Sequence, residues 1–277
     1  MRVKPNALVG IGIWVLYVVI ITVVSKINGV PYDEIGDSTS NLLRGAVISL
    51  AIGGLIIAGL SAWMGWFGAA MHDQYRIRAW WMLIAPALVV VAIGGNLVFT
   101  DWGNVGAAFL LAALALAITV GFAEEFVCRG MLLVGLRGSF QEVVAWALSC
   151  VLFGLMHAAN ILMGAPAAGT VGQIVSSALA GSTYYLLRRY FGSLIPAMIL
   201  HGLFELSIFV QSHSGSEGTL LVLLDWPAGI IATIAALVVA LRTDKGPKES
   251  YAKGASEPVP AAAYLQTSAG PVLDGRF

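Results

Sequence analysis

The sequence is short of charge. Only 11% of its 277 residues are Asp, Glu, Lys or Arg, against about a quarter in an ordinary soluble domain. Neither sign is in excess, with 15 basic and 15 acidic residues, which argues against a basic nucleic-acid surface and against an acidic solvating chain. Cysteine is scarce too: Cys128 and Cys150 both lie in apolar surroundings and are too few for a disulfide framework or a zinc ribbon. Internal repeats, heptads, a phosphate-binding glycine loop and a dinucleotide fingerprint are all missing. What fills the chain instead is apolar, at 58% of residues.

A helix needs about 20 mostly apolar residues to cross a hydrocarbon core of about 30 Å. The runs that qualify are Leu8 to Ser25, Ala46 to Met71, Trp80 to Phe99, Val105 to Leu136, Val143 to Ala158, Gly172 to Leu187, Leu194 to Val210 and Leu220 to Leu241. These predict an all-α fold, a polytopic membrane bundle of about eight transmembrane helices. The first run is too long for a signal peptide and no small-residue cleavage site follows it, so it is expected to be a retained span. Three parts are expected: a three-span segment over 1–104, a catalytic bundle over 105–241, and a disordered cytosolic tail over 242–277, rich in Pro, Ala, Gly and Ser.

The positive-inside rule sets the orientation. With both termini cytosolic, Arg2, Lys4, Arg76, Arg78, Arg137, Arg188, Arg189, Arg242, Lys245, Lys248, Lys253 and Arg276 lie inside, and only Lys26 and Arg44 lie outside. Asp225 counts among the external acids, while His72, Asp73 and His213 read as solvated surface residues. The expected location is the plasma membrane.

Ionisable groups at bilayer depth are costly, and those that occur there read as functional. Run four holds Glu124, Glu125 and Arg129, run five His157, and run seven His201 and Glu205. Counted at about 1.5 Å per residue from the cytosolic ends, Glu124, His157, His201 and Glu205 lie roughly 12 to 24 Å deep, in one slab. Residues four apart share a helix face. Arg129 therefore pairs with Glu125 as a structural ion pair, and Glu124 points elsewhere and stays free. Phe153 and His157 share a face with Asn160 near the helix end, and His201 shares one with Glu205. A base, a partner for water and an oxyanion donor are the parts peptide hydrolysis needs. The cavity that admits water is expected to open toward the cytosol. Other classes open to these residues are a proton- or ion-coupled transporter and a non-catalytic immunity or scaffold protein.

Glu124-Glu125-x-x-x-Arg129, Phe153-x-x-x-His157 and His201-x-x-x-Glu205 together resemble the three-motif signature of the CPBP family, the CAAX proteases and bacteriocin-processing enzymes also called Abi proteins. The resemblance runs from Gly121 to Glu205. It implies an intramembrane endopeptidase similar to type II CAAX prenyl proteases, acting on membrane-embedded or lipidated substrates. By motif position Glu124 would be the general base, His157 its partner on the water, and His201 with Glu205 the oxyanion site. Both a metalloendopeptidase and a metal-free glutamate mechanism are described for the family, so the resemblance leaves a divalent metal such as zinc, held by Glu124, His157, His201 and Glu205, as one option. The sequence departs from the family at Glu205, where Asn or Asp is usual. An ionised Glu would repel an oxyanion, so this residue is expected to be neutral, a metal ligand, or the mark of altered catalysis.

Overall fold

A computed structural model describes residues 1–74, 76–216 and 220–244. The described residues form eight long helices: α1 Ala7–Asn28, α2 Thr39–Met64, α3 Trp80–Val98, α4 Ala107–Arg137, α5 Glu142–Met163, α6 Ala167–Phe191, α7 Ile195–His213 and α8 Leu220–Asp244. No strand occurs among the described residues. This is the polytopic helical bundle that the hydropathy pattern predicts.

Seven of the eight are apolar enough to be membrane spans by composition, and α6 is the exception. Its first half carries Thr170, Gln173, Ser176 and Ser177, which lower its hydropathy. Packing nevertheless places it across the same thickness as α5. At one end Tyr185 Oη donates to Glu142 Oε1 at 2.7 Å, in the middle Trp146 Nε1 donates to Ser182 Oγ at 3.2 Å, and at the other end Asn160 Nδ2 donates to Gln173 Oε1 at 2.9 Å. The two helices therefore run antiparallel along their full length, and α6 turns Gln173, Ser182 and Tyr185 toward polar partners on α5.

Helix ends follow ordinary capping chemistry. Asn6 caps α1 by accepting from Val9 N at 3.0 Å, and Gly29, at φ 67°, ends it in the left-handed conformation that glycine adopts without penalty. The tightest crossing is between α4 and α7. A methyl group on Gly121 would overlap the carbonyl oxygen of Met198, and one on Gly202 would overlap that of Ala117. Glycine at both positions lets the two backbones touch, as small residues do in membrane bundles. That contact sets Glu124, one turn beyond Gly121, against His201, the neighbour of Gly202.

The basic ends of α4 and α6 are less solvated than the sequence suggests. Arg188 and Arg189 are fully buried, and Asp73 is buried between them and Arg137. Its Oδ2 accepts from Arg137 Nη1 and Nη2 at 3.1 Å each and from Arg188 Nε at 3.2 Å, while Oδ1 accepts from Arg189 Nη1 at 3.3 Å. Glu142 takes Arg137 Nε at 2.8 Å. Arg188 also donates to the carbonyls of Ala69, Ala70, His72 and Arg129. Asp73 is thus a structural ion-pair residue rather than a solvated one, because three guanidinium groups meet there.

Residues 242–244 continue α8 rather than opening the tail. Asp244 accepts from the backbone N–H of Glu142 at 2.7 Å and of Val143 at 3.1 Å, capping α5 from the far end of the chain. The remainder of the expected tail lies outside the described residues. His213 is also drawn inward: its ring stacks on Phe109 at 3.5 Å and its Nδ1–H donates to Gly36 O at 2.9 Å.

Candidate active site

Three helices supply the ionisable cluster. Glu124 and Glu125 end the regular part of α4, and the next turn, Phe126–Leu132, widens into π-helix. Such widened turns occur mostly as local insertions at functional sites. Glu124 is 7% exposed, and Glu125 and Arg129 are fully buried. His157 stands where α5 tightens into a 3-10 turn over His157–Met163, and it is half-buried. His201 and Glu205 lie one turn apart on α7, the first buried and the second half-buried.

Glu125 Oε1 accepts twice. Arg129 Nη1 reaches it at 2.9 Å, and His201 Nδ1 at 3.0 Å. The His201 proton is assigned to Nδ1 because a carboxylate can only accept. Its other nitrogen, Nε2, then faces Glu124 Oε2 at 3.9 Å. The imidazole is held from its flanks as well, stacked on Tyr184 at 4.8 Å between centroids and 17° between planes, with Phe153 edge-on at 5.8 Å. The guanidinium of Arg129 sits 3.7 Å over the Phe153 ring and 5.1 Å over that of Tyr184. Aromatic faces are favourable neighbours for a cation that is short of polar partners.

Five atoms of the cluster are buried without a hydrogen bond: Glu125 Oε2, Arg129 Nε and Nη2, and, facing a cavity, Glu124 Oε2 and His157 Nε2. Glu124 and His157 line one cavity of about 140 Å³, bounded by α1, α2, α4, α5, α6, α7 and the segment around Tyr32. A polar cavity of that size has room for ordered water. It runs from Glu124 toward Tyr32 and Met163, at the ends of α1 and α5 opposite to Asn6 and Glu142. None of the buried ion-pair network around Asp73 and Glu142, at the basic helix ends, lines it. The cavity and the basic helix ends therefore lie on opposite faces, and the expectation that both are cytosolic does not hold.

A second cavity, of about 270 Å³, adjoins the same residues between α6, α7 and α8. His157, Gln173 and Glu205 line both. Gln173 Oε1 accepts from Asn160 Nδ2 and, at 3.2 Å, from Tyr32 Oη, fixing the partition. Burial pushes the Tyr32 phenol above its ordinary pKa, so it keeps the proton that it donates. Asp225, counted as external from its place near a span end, lines the second cavity instead.

The six residues singled out in the sequence therefore fall into one cluster in which Glu125, Arg129 and His201 are bonded together, while Glu124, His157 and Glu205 face cavities. Sequence reasoning missed Tyr184, Gln173 and Asp225. Polar residues inside an apolar run were the available signal for the first two, and an acid five residues into the last run for the third. Among the described residues no three His, Cys, Asp or Glu side chains converge as a metal-holding group.

A family model for type II CAAX prenyl endopeptidases, described as Rce1-like, matches residues 106–207. No match was found among curated proteins or among solved structures. The matched stretch covers α4 to the middle of α7 and contains all three motifs. Over residues 106–207 the chain is thus similar to the Rce1-like type II CAAX prenyl endopeptidases.

Proposed function

We propose that this integral multi-pass membrane protein is an endopeptidase that cleaves membrane-embedded or membrane-associated peptides, with Glu124 as general base and His157 as its partner on the attacking water. The observation that carries this reading is the pair of buried, unpartnered atoms Glu124 Oε2 and His157 Nε2 on one cavity. Buried polar groups are normally satisfied, so a water held between them accounts for both.

In the reaction, Glu124 takes a proton from that water as the oxygen bonds to the scissile carbonyl carbon. The carbonyl oxygen gains the charge. His201, oriented by Glu125 through Nδ1, offers Nε2–H to it when doubly protonated, and the proton on Glu124 then passes to the leaving amine as the C–N bond breaks. Glu205 faces the same region with no hydrogen bond or ion pair among the described residues. It assists the oxyanion only when its charge is neutralised, whereas a free carboxylate would oppose it. No step passes through a metal. The proposed setting is the plasma membrane, with the basic helix ends cytosolic.

The test is cleavage of a membrane-peptide library by the purified chain in liposomes. Glu124→Gln and His157→Ala should each lower the rate by about 10²- to 10⁴-fold, the usual contribution of a positioned acid or base. Wild-type rates in correctly folded variants would overturn the assignment.

A further inference from the structure

The second cavity holds an imbalance that the hydrolysis chemistry does not use. Glu205 and Asp225 both line it, from α7 and α8, and neither makes a hydrogen bond or ion pair among the described residues. No Lys or Arg lines it. The guanidinium of Arg129 lies behind its wall, over the Phe153 ring, and its bonded partner is Glu125. His157 and His201 border the cavity at the catalytic end, and Nδ1 of His201 is committed to Glu125. His157 Nε2 is a buried atom without a partner at the border of both cavities. Even with His201 protonated, its single charge is shared with Glu125 and Glu124, so two further carboxylates inside a helix bundle are unfavourable unless something more neutralises them.

The rest of the lining suits a cation on an aliphatic stem. Phe204 and Trp226 present aromatic surface, and Ser176 and Ser177 supply hydroxyl acceptors. Aromatic faces and carboxylates together attract ammonium and guanidinium groups. A volume of about 270 Å³ approaches the lower end of the range typical of ligand pockets and accommodates one long side chain.

We propose that this cavity receives a Lys or Arg side chain of the substrate, close to the scissile bond, with Asp225 and Glu205 as its counter-ions. The inference rests on the peptidase reading and names a substrate class for it. It also gives Glu205 a function in place of the family's usual Asn or Asp. The incoming cation neutralises Glu205, and with it the repulsion that Glu205 would exert on the oxyanion. Asp225 lies on α8, beyond the segment matched by the family model.

The experiment has a cleavage arm and a binding arm, both on the full chain in liposomes. In the first, peptides differing only in Lys, Arg or norleucine at positions within three residues of the cleaved bond are compared. Wild type should prefer the basic residue by about tenfold in kcat/KM, the worth of one charged hydrogen bond. Asp225→Asn should shrink that ratio, and Glu205→Gln should raise cleavage of the norleucine peptide toward that of the lysine peptide. In the second arm, N-acetyl-lysine amide should bind more tightly than N-acetyl-norleucine amide, and Asp225→Asn should remove the difference. Cleavage with no basic preference, or a preference that survives Asp225→Asn, would overturn the cation subsite and leave the peptidase standing. Selective lysine-amide binding that Asp225→Asn abolishes, with no library peptide cleaved, would keep the subsite and remove the peptidase reading.

Discussion

His201 Nδ1 and Arg129 Nη1 converge on the same oxygen, Glu125 Oε1, at 3.0 and 2.9 Å. The second glutamate of the motif is therefore more than a local neutraliser of the arginine one turn away. It fixes the ring orientation of a histidine on another helix. Removing one member of a buried ion pair strands the other charge and costs about 3–5 kcal/mol, whereas replacing both with apolar or neutral groups is often tolerated. Arg129→Met should accordingly destabilise strongly. The double variant Glu125→Gln, Arg129→Met should recover much of the thermal stability without recovering cleavage, because His201 loses its carboxylate anchor. Melting temperatures and rates of the two variants, measured side by side, check this.

The α4–α7 crossing gives a second expectation. Gly202→Ala places a methyl group against the carbonyl of Ala117, and overpacking of this kind costs about 1–3 kcal/mol. The helices should separate enough to weaken the approach of His201 to Glu124. A fall in melting temperature together with a fall in kcat is expected, and an unchanged kcat would mean that the crossing does not set the site.

Asp244 offers a contrasting variant, since it is a cap far from the reacting groups. Asp244→Ala removes both acceptors at the start of α5 and should cost about 0.5–2 kcal/mol. Stability should drop while kcat at a permissive temperature stays at its wild-type value. Loss of activity in fully folded protein would contradict a purely structural role.

Metal dependence is testable directly. Treatment with a chelator such as EDTA followed by desalting should leave cleavage unchanged, and Glu205→Gln should retain activity, because an amide donates a hydrogen bond without carrying charge. Parallel loss of activity and of bound metal in Glu205→Gln would show that this carboxylate is a ligand.

Much of the site was legible from spacing. Helical periodicity is local, so the i, i+4 relation of Glu125 and Arg129 is written in the sequence, and scarcity of charge made the few intramembrane acids conspicuous. Contacts between helices were not legible. Nothing in the spacing says that Glu125 also meets His201, 76 residues away, because that depends on two glycines that bring the backbones together. Hydropathy also misled where polarity is satisfied inside the bundle. Arg188, Arg189 and Asp73 read as solvent-facing and are buried, since reciprocal pairing substitutes for water. Asp225 read as external because a span-end acid normally is.

The antiparallel seating of α6 on α5 has a consequence for the handling of the molecule. If the polar helix did not cross, the described helices would traverse the membrane an odd number of times and Asn6 and Asp244 would stand on opposite faces. Because α6 spans the same thickness as α5, Asn6 and Asp244 stand on one face, and the cavity beside Tyr32 leads to the other. A reporter domain joined ahead of Asn6 would sit across the membrane from that entrance, so tagging there and probing substrate entry do not compete for the same space.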